Sequence, residues 1–191
     1  MDTDQPGTRE RILQSAYSLF YREGFSRVSV DAIAERASVT KRTIYYHFKS
    51  KDDIVAEVLD DQHQYMMQQF RKWAGPGSTG AADMIDNLFA ELKRWADGPT
   101  WLGSGFTRIT TELADMPGHP ARKAASRHKS KVENWLADRL ERHGIATPDN
   151  IARQIMVLVE GAMSLSLIHG NTRYMESSAA AAKALLAKST P

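Results

Sequence analysis

Arg42, Tyr45 and Tyr46 fall in one short stretch, with Lys41, Thr43 and His47 around them. Guanidinium and ammonium groups suit the O6 and N7 acceptors of guanine. A phenol can hydrogen-bond a phosphate or a base, and its ring can pack on a thymine methyl. The chemistry these side chains offer is recognition of base edges. From Arg36 to Lys51 the chain holds five basic residues (Arg36, Lys41, Arg42, Lys49, Lys51) and no acid, on a protein whose formal net charge is +2. A local positive stripe on a balanced chain is the footprint of phosphate binding, whereas a solvated helix face is the plainer account of charge taken alone.

Other chemistry lacks its residues. The six histidines form no H-E-x-x-H and no close pair at ligand spacing, so no metal is expected. Ser164 and Ser166 lack a G-x-S-x-G elbow, and the acidic pairs Asp52-Asp53 and Asp60-Asp61 read as first-turn or solvated acids. Gly75-Pro76-Gly77-Ser78-Thr79-Gly80 satisfies G-x-G-x-x-G, but that fingerprint needs a preceding strand, and a long amphipathic helix precedes it here. It reads as a linker. No cofactor and no enzymatic activity are expected.

The elements that must position Arg42 and the tyrosines can be read from periodicity. Ile12, Leu13, Ala16, Leu19 and Phe20 form one stripe of a first helix, with Thr8 as its cap and Gly24 as its stop. Ser29 caps a second helix ending near Ala37, with Asp31 in its first turn and Val28 stapled to Ile33. After the turn Ser38-Val39-Thr40, Thr40 caps a third helix from about Lys41 to Phe48. Two short helices joined by so tight a turn make a helix-turn-helix. Ile44 and Phe48 face the core, Arg42, Tyr45 and Tyr46 project away, and a helix this short fits a major groove. Thr40, with the amides it caps, is placed to grip a phosphate, and Lys49 and Lys51 follow as phosphate contacts. A small helical hairpin with an exposed aromatic pair is the bland alternative; adjacent outward tyrosines among cations, with no acid nearby, argue against it.

The run Val30-Asp31-Ala32-Ile33-Ala34-Glu35-Arg36-Ala37-Ser38-Val39-Thr40-Lys41-Arg42-Thr43-Ile44-Tyr45-Tyr46-His47-Phe48-Lys49-Ser50-Lys51, with Phe20, Gly24 and Phe25 before it, resembles the signature of the TetR family of transcriptional regulators. The likeness spans about Thr8 to Leu59. It implies Thr40, Thr43, His47 and Lys51 on phosphates and Lys41, Arg42, Tyr45 and Tyr46 near bases. With Ser29 and Lys49 these make up the expected DNA-binding set. It also implies a homodimer that sets two such helices in successive major grooves of a near-palindromic operator, with repression as the family's commoner habit.

Ser50 and Asp53 open a fourth helix striped by Ile54, Val55, Val58, Leu59, Met66, Phe70 and Trp73, roughly 35 Å long at 1.5 Å per residue and a natural lever for a signal. A fifth carries Met84, Ile85, Leu88, Phe89, Leu92 and Trp95, and a weaker sixth, Trp101 to about Leu113, is loosened by Gly103 and Gly105. Pro120 opens a seventh that closes at Gly144, Thr147-Pro148 begins an eighth ending at His169-Gly170, and an alanine-rich ninth covers Thr172 to Lys188. No segment alternates as a strand. The expectation is an all-α chain of about nine helices: a disordered stretch 1–7, a three-helix helix-turn-helix head 8–50, and a helical-bundle body 51–191 for ligand binding and dimerisation.

The eighth helix is apolar nearly all round, which argues burial on several sides. Either it is the central helix of a monomer or it meets a partner. The resemblance favours a dimer through the last two helices, with Ile155, Val159, Met163 and Leu167 meeting Ala181 and Leu185. Phe70, Trp73, Phe89, Trp95, Trp101, Phe106, Met116, Trp135 and Met163 could line a pocket for a small apolar or aromatic effector, with His119, His128, Arg108 or Glu112 as polar anchors; each of them could equally be core. A body that docks another protein instead of a small molecule is the competing account.

Hydrophobic residues make up 42 % and charged residues 25 % of 191, ordinary for a soluble globular chain. There is no cysteine, which excludes disulfides and thiolate chemistry and fits a reducing compartment. The start is polar and acidic, unlike a signal peptide, and Arg153, Gln154 and Glu160 interrupt the longest apolar region. The expected setting is the cytoplasm.

Overall fold

The computed structural model describes residues 7–76 and 80–189. Every regular element among them is a helix: α1 (Thr8–Glu23), α2 (Val30–Arg36), α3 (Lys41–His47), α4 (Lys51–Trp73), α5 (Ala81–Ala96), α6 (Gly105–Glu112), α7 (Pro120–Arg142), α8 (Pro148–His169) and α9 (Arg173–Ser189). The expected all-α architecture of a helix-turn-helix head and helical body is the observed one. The expectation of disorder falls almost wholly on residues outside those described, as does the centre of the glycine-rich linker, residues 77–79.

Two compact units form. The first takes the chain up to His63 together with Gly105–Arg127. Its core is the inward stripe Ile12, Leu13, Ala16 and Phe20 of α1 against Ile33 of α2, Ile44 of α3 and the Phe48 that follows, with Ile54, Val55, Val58 and Leu59 from α4. Each such side chain contributes about 1.5–3 kcal/mol when fully buried. Capping fixes where the short helices begin. Ser29 Oγ accepts from the Ala32 amide at 3.1 Å, Thr40 Oγ1 from the Thr43 amide at 3.1 Å, and Ser50 Oγ from the Asp53 amide at 3.0 Å. α1 differs: it already includes Thr8, and Gly7 is its cap, without a side-chain bond.

The second unit takes Gln64–Ser104 and the chain from His128 onward. Within it α9 packs on α5 and α8. α5 turns Met84, Ile85, Leu88, Phe89 and Leu92 inward, a strongly amphipathic pattern that needs no partner beyond this core. α6 begins later than the apolar pattern suggested. Gly103, at φ +85°, leaves Trp101–Ser104 non-helical, and a Cβ there would stand 3.1 Å from Leu167 Cδ2.

α8 is long and apolar enough to cross a membrane by length and composition, with 44 % of its most apolar window buried. Two of its charges are paired to α7: Glu160 with Lys129, and Arg153 with Glu133 at 3.2 Å. The structure corrects the expected partner face. Ile155, Val159 and Met163 are buried in this chain's own core at 0 %, 3 % and 5 % exposure, because they share the inward stripe with Ile151, Ala162 and Ser166. The outward face of α8 is Val157, Leu165 and Ile168, the first and last of them 67 % and 72 % exposed, with Leu167 at 41 %. On α9, Ala181 is exposed and Leu185 half-buried.

Candidate nucleic-acid interface

Burial of Ile44 and Phe48 fixes the rotation of α3, and everything else on that helix follows from 100° steps. Arg42, Tyr45 and Tyr46 point outward, Tyr45 at 50 % and Tyr46 at 83 % exposure. Two large aromatic rings exposed side by side next to an arginine form a surface suited to contact with a partner. Tyr46 packs edge-on against His47 with centroids 5.1 Å apart, so the outer edge of the helix is an aromatic ridge. Thr40 Oγ1 and Thr43 Oγ1 lie 2.8 Å apart and share one hydrogen, which leaves one hydroxyl hydrogen to donate outward. Ser29 at the start of α2 and Lys49 beyond α3 are exposed. Chemically the surface offers a guanidinium, two phenols, an imidazole and hydroxyl donors on a helix slim enough for a major groove.

Three of the basic residues are committed elsewhere. Lys51 turns inward: its ammonium donates to the carbonyls of Phe25 and Val28, both at 3.0 Å, and sits 4.1 Å from the centre of the Phe25 ring. It fastens the α1–α2 turn, whereas spacing alone placed it on phosphate. Arg36 donates to Ser18 Oγ at 3.0 Å. Lys41 Nζ lies 2.9 Å from Asp31 Oδ2, so the expected absence of an acid nearby is overturned. The hydrogen bond to Asp31, and then its charge, hold the Lys41 ammonium above the usual lysine range. Arg42 has no ion-pair partner among the described residues.

The other side of the same turn is gripped by α6. Glu112 Oε2 accepts from the Ser26 amide at 2.8 Å and Oε1 from the Phe25 amide at 3.2 Å. Burial pushes the Glu112 carboxyl up, but the Ser26 and Phe25 amides and the Arg108 charge outweigh it and hold it below the ordinary glutamate range. Gly24 sits at φ +91°, and a Cβ on it would come within 2.8 Å of Glu112 Oε1. Glycine is required there by its dihedral, and a Cβ would in addition push the carboxylate away from the amides it accepts from. Arg108 donates to the Tyr21 carbonyl, and His119 Nδ1 accepts from the Ala121 amide at 3.1 Å while its ring meets Phe25 edge-on. Three of the suggested effector anchors, Arg108, Glu112 and His119, are therefore occupied in holding this unit together. His128 is buried in the second.

The suggested effector residues divide between the units. Phe106, buried, and Met116, 47 % exposed, belong to the first. Phe70, Trp73, Phe89, Trp95, Trp101, Trp135 and Met163 share the core of the second. There Trp101, Trp95, Trp73, Phe70 and Trp135 form a continuous run of rings, with successive centroids 6.1, 6.0, 5.6 and 6.3 Å apart. The buried Trp101 Nε1–H meets no acceptor among the described residues.

Residues 12–58 match the sequence profile of bacterial regulatory proteins of the tetR family. The chain is 40 % identical over 57 residues to the HTH-type transcriptional regulator TtgR of Pseudomonas putida, covering 30 % of this chain and 27 % of that protein. It is 31 % identical over 72 residues to the HTH-type transcriptional regulator UidR of Escherichia coli, covering 38 % and 37 %. These matches therefore span 27 % and 37 % of the curated relatives' length. A TetR-family transcriptional regulator from Streptomyces coelicolor has the same fold over 96 % of both chains, with a TM-score of 0.84 at 24 % identity. Residues 12–58 thus carry the tetR-family profile over the helix-turn-helix, and the fold is shared along nearly the whole chain with a solved TetR-family regulator.

Proposed function

We propose that the protein is a transcriptional regulator that binds a near-palindromic DNA operator as a homodimer and represses until a small apolar or aromatic effector releases it. In this reading segment 8–50 is the DNA-binding head, segment 51–191 is the body for ligand and partner, and the protein works in the cytoplasm. The observation that carries it is the outward set on α3: Arg42, Tyr45 and Tyr46 stand exposed on a helix whose opposite side is locked by Ile44 and Phe48. Arg42 and Tyr45 read base edges, with Tyr46 beside them. Ser29, Thr40, Thr43, His47 and Lys49 position the backbone. Two copies are needed because one seven-residue helix reaches only a few base pairs, and two-fold symmetry doubles the half-site.

The exposed Val157, Leu165 and Ile168 of α8, with Ala181 and Leu185 of α9, are the surface assigned to the second copy. Large apolar side chains in water favour such cover. The effector reading rests on the ring array of the second unit and the unpaired Trp101 indole N–H, which suit a flat apolar molecule carrying a hydrogen-bond acceptor. Release follows as a population shift. The effector must favour the DNA-incompetent state by a few kcal/mol to empty an operator. The test is anisotropy of a labelled duplex from upstream of the protein's own gene, titrated at fixed salt, then repeated with a panel of aromatic compounds. Specific binding lost on adding one compound supports the reading. Binding no tighter than to scrambled duplex, or affinity unmoved across the panel, contradicts it.

A further inference from the structure

From the sequence α3 is expected to present two adjacent cations, Lys41 and Arg42, but the structure treats them differently. Lys41 Nζ is 2.9 Å from Asp31 Oδ2, on the first turn of α2, so the contact bridges the two helices across the turn. Both side chains are exposed, at 51 % and 68 %, so the pair lies on the surface that holds Ser29, Thr40 and Thr43. Arg42, next along the chain, has no such partner among the described residues. A carboxylate on this surface opposes phosphate oxygens, and an ammonium already facing that carboxylate releases less counterion when DNA arrives. Lys41 and Asp31 together bring no net charge to the duplex.

Resting on the DNA-binding reading, we propose that Asp31 is a specificity-determining residue: it masks the charge of Lys41 and holds it against α2, so that reading falls to Arg42, Tyr45 and Tyr46. An unmasked Lys41 at the mouth of the groove would reach phosphates on any sequence. It would raise binding to non-operator DNA more than binding to the operator, because base contacts fix the operator complex in one register, whereas a non-operator complex, held almost wholly by charge, can shift to satisfy the added ammonium. The acid therefore trades total affinity for discrimination.

The test is a double-mutant cycle with Asp31→Asn, Lys41→Gln and the double variant, measured on a selected operator duplex and on a scrambled duplex across a salt series. Removing an acid near DNA helps binding even without a tether, so the coupling between the two changes carries the decision. The expected result is that Lys41→Gln costs several-fold more affinity in the Asp31→Asn background than in the native chain. Asp31→Asn alone should steepen the salt slope by about 0.9 per head and lower the ratio of operator to scrambled binding. Equal cost of Lys41→Gln in both backgrounds overturns the proposal, since the two then act independently. A smaller cost in the Asp31→Asn background also overturns it, because Asp31 would then be presenting Lys41 to DNA. Thermal melting of each variant separates these effects from misfolding, which exposed polar substitutions are not expected to cause. If the native chain binds neither duplex, the DNA-binding reading itself has failed. The ammonium nitrogen signal of Lys41, followed by NMR in the free protein with and without Asp31→Asn, then decides the tether alone: an unchanged signal overturns it.

Discussion

Arg42 and Tyr45 differ from Lys51 in what their polar atoms already touch, and that difference sorts their roles. Arg42→Ala or Tyr45→Ala removes a group that has no structural duty, so each should leave melting nearly unchanged, cost on the order of 1–3 kcal/mol of operator binding and relax base preference. Titrations against operator and single-base variants check this. Lys51 and Glu112 hold opposite sides of the α1–α2 turn, the one on its carbonyls and the other on its amides. Lys51→Ala should therefore appear as about 1–2 kcal/mol of lost stability, with weaker DNA binding secondary to it. Glu112 adds a pH dependence. Its folded carboxyl titrates below the unfolded value of roughly 4.3, so its contribution is present above that pH and disappears as pH falls through the folded value. Urea midpoints measured between neutral pH and about pH 3 should fall less steeply for Glu112→Gln than for the native chain. Equal slopes would mean the two amide bonds contribute nothing to folding.

At the scale of elements, local signals were readable and distant contacts were not. Ser29, Thr40 and Ser50 were legible as caps because a cap needs only its own next three residues. Ile44 and Phe48 were legible as the inward face because helical period fixes it. The bonds from α6 to the α1–α2 turn join residues 86 and 87 apart in sequence, and nothing local in Arg108 or Glu112 marks them. Those residues read equally well as pocket anchors. The Asp31–Lys41 pair was within reach, since ten residues across a tight turn bring the first turns of two short helices together. α8 was legible as a buried helix, but its many apolar residues left open which stripe faces in, and Ile155, Val159 and Met163 proved to be core. The turn between α2 and α3 offers its own test. Ser38 sits at φ +53°, a region that costs a residue with a Cβ roughly 1–2 kcal/mol, against 0.5–1 for the added freedom of glycine. Ser38→Gly should raise the melting temperature slightly, while Thr40→Ala, losing a cap bond, should cost about 1 kcal/mol. Calorimetry on the two variants checks the opposite signs.

For the whole molecule, operator binding as proposed requires two copies and two grooves. Val157 and Ile168 are the large apolar side chains that the single chain leaves most open on α8. Placing a charge at each, Val157→Glu with Ile168→Glu, should give a folded monomer by light scattering while far-UV helicity is kept. Operator affinity should fall by orders of magnitude, because each half-site is then bound alone. A variant that stays dimeric would move the interface elsewhere. Both expectations depend on the claim at the centre, that the exposed face of α3 reads DNA sequence. Selection of bound duplexes from a random pool, with the purified protein at fixed moderate salt, tests that claim most directly. The expected result is an inverted repeat whose half-sites lie about one helical turn or slightly more apart, lost when Arg42→Ala protein is used. Recovery of salt-sensitive, sequence-blind binding, or of the same repeat with Arg42→Ala, would contradict it.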